Sequence, residues 1–193
     1  PYYPVQRPVS YVPLNIPVQV TYAEGSLGQH FEEVLEDLDA DWPKIGKARW
    51  SVDREAAQRE MDAANAIFGD ILPAKLEMAS LCAVMTQDLV HVMSMENMFF
   101  SMYDYPERFH ALMERMSDDY CAFFRWMESE GLLLPTTGSA WLNQGSYCFT
   151  RELPDAADGL TLRGVWGFED SQETSGISRE MYGELSCHTY RRA

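Results

Sequence analysis

The stretch GVWGFEDSQETSGISREMYGEL, residues 164–185, decides how the chain is read. An apolar run carrying Trp166 and Phe168 gives way to Glu169, Asp170, Ser171 and Gln172, with Glu173 behind them. Ser178 then stands where an N-cap opens a helix holding Met181, Leu185 and Thr189. The pattern predicts a strand over Leu160 to Phe168, a polar loop, and a helix. In α/β proteins ligands gather where strands hand over to helices, so the polar cluster is the first place to look for chemistry.

Working outward, the clearest element is a helix from about Pro106 to Glu130. Proline suits its first turn, Asp104 and Glu107 suit the positive end of the dipole, and Gly131 suits the cap at its end. Phe109, Leu112, Met113, Met116, Tyr120, Phe123, Phe124 and Met127 form one apolar stripe, the mark of a core face rather than of a cofactor box. Met85 to Tyr103 is also helical by period. So is Asp53 to Phe68, with Ala57, Met61, Ala64 and Phe68 on one side and Gly69 after it.

DILPAKLEMA, residues 70–79, alternates from Ala74 onward and predicts a strand. The five prolines of residues 1–23 predict an extended edge segment with at most a short strand near Val18 to Tyr22. Gly25 and Gly28 open a predicted helix with Phe31, Val34, Leu35 and Leu38 at helical spacing, and Asp37 to Trp50 is a predicted loop. The succession of strand, helices, two strands and helix is the alternation of an α/β fold with a parallel sheet.

Composition narrows the function. A charge of −15, from 30 acidic and 15 basic residues, disfavours nucleic acid and anionic membranes, since both are bound through lysine and arginine. No run nears the ~18 apolar residues of a membrane span, and no basic-then-apolar leader is present, so a cytoplasmic protein is expected. Cys82, Cys121, Cys148 and Cys187 contain no Cys-x-x-Cys pair, and the four histidines lack metal spacing, so no metal site or other cofactor is identifiable in this chain.

Asp104-Tyr105-Pro106-Glu107 at a helix start and Ile177-Ser178-Arg179-Glu180-Met181-Tyr182 after a strand, with GDILPAKL upstream, resemble the uroporphyrinogen decarboxylase superfamily. The likeness extends to its branch of cobalamin-dependent methyltransferases. Arg179 departs from the pattern, standing where the family usually has proline. The resemblance implies a (β/α)₈ TIM barrel, which takes ~250 residues, and thus a partial barrel here. Residues 1–193 are then one incomplete domain, with an extended arm, first helix and linker over 1–52 and βα units over 53–193.

For the complete protein the resemblance implies corrinoid-linked methyl transfer, with zinc and a corrinoid as cofactors and the zinc ligands beyond Ala193. The alternatives are uroporphyrinogen decarboxylation, in porphyrin biosynthesis, and a non-catalytic binding or assembly module. Expected partners are a small-molecule substrate or a corrinoid protein, and either a second copy or the rest of the barrel to cover open sheet edges.

Within this reading Glu169 and Asp170 are the catalytic candidates, because the apolar surface of Trp166 and Phe168 beside a carboxylate can bring it into proton exchange near neutrality. Gln172 and Glu173 are candidate substrate ligands. The loop after the long helix offers Thr136, Thr137, Asn143 and Tyr147 as polar liners and Trp141 as a flat wall. Glu77, near the end of the 70–79 strand, is a further candidate. The competing reading of the acidic cluster is a solvated turn.

Overall fold

Odd-numbered backbone amides near the amino terminus face a partner strand, and this places two strands where five prolines left room for little. In the computed structural model, which describes residues 1–22, 28–78, 81–137, 141–143, 146–147, 150–156 and 159–191, strand β1 spans Tyr3–Gln6 and β2 spans Val9–Val12. Tyr3 and Arg7 donate their amides to the Pro73 and Glu77 carbonyls at 3.0 Å. The two-residue period turns the Pro4 nitrogen to the other side, so the missing donor costs that ladder nothing. The expected single short strand near Val18 to Tyr22 does exist as β3 (Val20–Tyr22), paired antiparallel with β4 (Gln29–Phe31).

The predicted helix through Phe31, Val34, Leu35 and Leu38 is corrected. Gly25 lies outside the described residues, and β4 is followed by turns. Local side chains and a remote carbonyl take the amides a helix needs: the Asp41 carboxylate accepts from Glu36 and Asp37, the Asp37 carboxylate from Asp39 and Ala40, and the Val92 carbonyl from Val34 and Leu35. Leu35 and Leu38 are nevertheless fully buried, so their apolar spacing reports burial and not helical period.

Strand β5 (Arg49–Val52) pairs with β2 and leads into α1 (Arg54–Phe68), whose first turn is capped by the Asp53 carboxylate accepting from Ala56 at 2.8 Å. Then come β6 (Ala74–Glu77), parallel to β1 in the register Tyr3↔Ala74 to Gln6↔Glu77, and β7 (Leu81–Ala83). Helix α1 packs on both strands of the parallel pair. Its Phe68 ring lies 5.1 Å from Tyr3, and its Asn65 side-chain oxygen accepts from the Ala74 amide.

Helix α2 (Met85–Asp104) is interrupted at Ser94, with φ 61° and ψ 166°. The interruption exposes the Val92 carbonyl to Val34 and Leu35. Helix α3 spans Pro106–Ser129 and ends as expected: Gly131, at φ +62°, donates to Glu128 while Leu132 donates to Met127.

Beyond it lie β8 (Trp141–Asn143) and β9 (Ser146–Tyr147), an antiparallel pair in the expected loop. The predicted strand over Leu160 to Phe168 is mostly a 3-10 turn at Leu162–Gly164, and extended pairing is confined to β10 (Gly167–Glu169), which joins β7. Gly164 fits that turn because an added Cβ would lie 3.0 Å from the Leu160 side chain and 3.3 Å from Pro154. Ser178 caps α4 (Arg179–Tyr182) through the Met181 amide. A π turn over Gly183–Cys187 then leads to α5 (His188–Tyr190).

The architecture is mixed α/β. All sheets among the described residues are two-stranded, and none closes on itself. Two compact units form. One comprises Pro1–Tyr11, Trp50–Cys82 and Phe124–Phe168; the other comprises Val12–Arg49, Ala83–Phe123 and Glu169–Ala193. The first buries Val5, Ala57, Ala64, Leu132 and Leu133, while the second is methionine-rich, with Met85, Met93, Met98, Met102, Met113 and Met116 all at most 2% exposed. No helix among the described residues is long and apolar enough to cross a membrane.

Candidate functional site

Helix α2 begins without a capping side chain, because Val84 stands at its N-cap. A first-turn amide buried without a partner is costly, and the second unit meets this need from α5. The Tyr190 hydroxyl accepts from the Thr86 amide at 3.1 Å and donates to the Asp170 carbonyl at 2.8 Å. Thr86, fully buried, donates its own hydroxyl to Glu173 Oε2 at 2.8 Å, and its Oγ1 also lies 3.1 Å from Tyr190 Oη.

Two residues further along α2, Asp88 accepts from the Tyr120 hydroxyl of α3 at 2.6 Å. The polar cluster thus has two hydrogen-bonded groups, Asp88 with Tyr120 and Thr86 with Glu173, Tyr190 and the Asp170 carbonyl, and the Glu173 charge acts on Asp88 across them.

The electrostatics follow from that setting. Burial pushes the Asp88 carboxyl up to about 7; the Tyr120 hydrogen bond opposes the rise and the Glu173 charge adds to it. His91, one turn beyond Asp88 and stacked at 4.2 Å on the Phe31 ring, is held below the usual histidine range by burial, with Glu173 pulling the other way. Burial also drives the Tyr190 phenol well above its ordinary range. A carboxyl that burial has pushed up to about 7 can both give and take a proton near neutrality.

Hydrogen counting adds a second property. Thr86 and Tyr190 carry one hydroxyl hydrogen each, yet three oxygen–oxygen contacts compete for them: Glu173 with Thr86, Thr86 with Tyr190, and Tyr190 with the Asp170 carbonyl. A hydrogen on Glu173 would let all three hold one, with the Thr86 hydroxyl turning from Glu173 to Tyr190 while Tyr190 goes on donating to the Asp170 carbonyl.

The residues expected from sequence fall in both units. In the second, Glu169 ends β10 at the surface, yet local burial of its carboxyl raises its pKa; Asp170 uses its carboxylate to cap the Gln172 amide at 2.9 Å; and Gln172 is exposed. Of the four acidic-cluster candidates there, Glu173 alone puts its side chain into the polar cluster.

In the first unit, Glu77 accepts from the Tyr2 hydroxyl, and Thr136 is fully buried with its oxygen accepting from the Trp166 amide at 2.8 Å. The structure thus joins Thr136 to Trp166, but through the tryptophan backbone. Thr137 donates to the Thr150 carbonyl and lines a cavity of ≈ 470 Å³ with Arg151, Leu153, Pro154 and Asp155. Trp141, Asn143 and Tyr147 lie on β8 and β9, and their side chains fall outside the described residues.

Sequence reading missed Thr86, Asp88, Tyr120 and Tyr190. Asp88 offered a signal, being a lone acid within the apolar run from Leu81 to Val92 whose only other polar residues are Cys82, Thr86, Gln87 and His91.

No family model, curated protein or solved structure matches the chain.

Among the described residues, no three His, Cys, Asp or Glu side chains come together as a metal ion requires. The zinc implied by the sequence resemblance therefore finds no ligand set in these residues.

Proposed function

We propose that the chain belongs to an enzyme and supplies a general acid–base site in which Asp88 exchanges a proton with the substrate and Glu173 tunes it. What supports the reading is the Asp88 carboxyl, pushed up to about 7 by burial and by the Glu173 charge. Glu173 is held toward the pair by the Thr86 hydroxyl, which in turn contacts Tyr190.

For the complete protein, corrinoid-linked methyl transfer remains the proposal drawn from the sequence resemblance, with porphyrinogen decarboxylation second. One observation favours the second. Decarboxylation replaces a carbon–carbon bond by a carbon–hydrogen bond and must end in proton delivery to carbon, which a carboxyl titrating near neutrality performs.

The test is turnover by the complete protein of uroporphyrinogen, against methylcobalamin with a thiol, for the parent and for Asp88→Asn and Glu173→Gln. A loss of ~10²-fold or more in Asp88→Asn, within the range of general acid–base catalysis, supports the reading. Undiminished turnover in both variants removes it.

A further inference from the structure

A second concentration of unspent chemistry lies in the first unit, apart from the polar cluster. A cavity of ≈ 210 Å³ is walled on one side by Arg54, Ala57, Gln58 and Met61, which share a face of α1 at helical spacing. Facing them are Arg7, directly after β1, and the apolar side chains of Val52 and Leu76. In a chain of net charge −15, two arginines thus line one small cavity.

Both guanidinium groups are fixed by the carboxyl end of α3. Arg54 donates Nη2 to the Glu130 carbonyl and carboxylate, each at 3.0 Å, and Arg7 donates Nη1 to the Gly131 carbonyl at 3.3 Å. Glu130 balances only one of the two charges. Arg7 forms no ion pair among the described residues, and its Nε is buried there with no hydrogen-bond partner. Burial, and then the neighbouring Arg54 charge, hold Arg7 below the usual arginine range, the response of a cation lacking its anion.

We propose that this cavity binds a small organic anion, its carboxylate or phosphate head between Arg7 and Arg54 and its short apolar tail along Val52, Met61 and Leu76. Arginine suits either head, because its planar donors match two oxygens at once. The tail must be short. The volume equals about seven waters and lies below the ~300 Å³ at which drug-sized pockets begin. Preorganisation by α3 means that the guanidinium groups need not be ordered when the ligand arrives.

The experiment uses the full chain with hexanoate, hexyl phosphate and hexanol as probes, followed by calorimetry and by amide chemical shifts at Ala57, Gln58 and Leu76. Saturable binding of hexanoate, hexyl phosphate or both, at least tenfold tighter than hexanol, is expected. The stronger of the two anions identifies the head group. Arg7→Gln should weaken that binding at least tenfold. Gln58→Glu, an exposed change on a stable helix face that brings a negative charge to the wall, should weaken it severalfold even if Arg7→Gln fails to fold. Absence of saturable anion binding, hexanol binding as tightly as the anions, or unchanged affinity in a folded Arg7→Gln or in Gln58→Glu overturns the proposal.

Discussion

Tyr120 of α3, only 3% exposed, donates its hydroxyl to the Asp88 carboxylate of α2 at 2.6 Å. A short bond from a buried phenol favours the charged carboxylate, yet burial outweighs it and the acid titrates near 7. Removing the donor therefore has a defined sign. Tyr120→Phe should raise the Asp88 pKa further and cost roughly 1–2 kcal/mol of stability, measurable by urea unfolding at pH 6 and by following the carboxyl carbon of Asp88.

The raised Asp88 pKa also links stability to pH. Below the unfolded value of about 4, both states hold the neutral acid. Between about 4 and 7 the folded state keeps a proton that the unfolded state releases, so this contribution to stability is lost as pH rises through 7. The full difference is on the order of 4 kcal/mol. Asp88→Asn keeps an acceptor for Tyr120 without the charge. Relative to the parent it should be more stable by about 1 kcal/mol at pH 5 and by about 4 kcal/mol at pH 8, by urea midpoint; equal shifts at both pH values would contradict the assignment.

Tyr190→Phe should leave the Thr86 amide at the start of α2 without its acceptor and the Asp170 carbonyl without its donor. An expected loss of about 1–3 kcal/mol follows for a buried amide left unpaired. Faster hydrogen exchange at Thr86 than at Leu89, in the same helix, would localise the effect.

Ser94 holds a backbone conformation that glycine tolerates and other residues resist, at a cost of about 1–3 kcal/mol. Its hydroxyl repays little, accepting from the Asn97 amide at 3.3 Å. Ser94→Gly is predicted to stabilise the chain by roughly 1 kcal/mol, since glycine loses only a few tenths as a cap. Gly131→Ala goes the other way. An added Cβ there meets nothing within 4 Å, so the predicted loss of about 1 kcal/mol is the strain of a positive φ alone. Thermal melts of both variants give opposite shifts.

The long helices were legible because local signals agree there: Gly69 after the last turn of one, Pro106 at the first turn of another and Gly131 after its last, and apolar residues at helical period between them. The segment Phe31 to Leu38 carries the same period but fails as a helix. Asp37 and Asp41 capture its amides, and the Val92 carbonyl is released only by the break at Ser94, nearly sixty residues away. No window of sequence contains both facts. Leu160 to Phe168 is apolar because Gly164 and Val165 are buried, although only its last residues pair as a strand.

The acidic cluster was visible, but which member turns inward was not. Glu173 does so because Thr86 and Tyr190, from two other elements, meet it there. Asp88 reads as one polar residue on an apolar helix until Tyr120 is brought beside it.

The titration of Asp88, followed through its carboxyl carbon in the parent and in Glu173→Gln, tests the acid–base pair most directly. The account predicts a midpoint near 7 in the parent and a lower one when the neighbouring negative charge is removed. A midpoint near the ordinary aspartate value of about 4, or one indifferent to Glu173→Gln, would show that the two carboxyl groups do not act together.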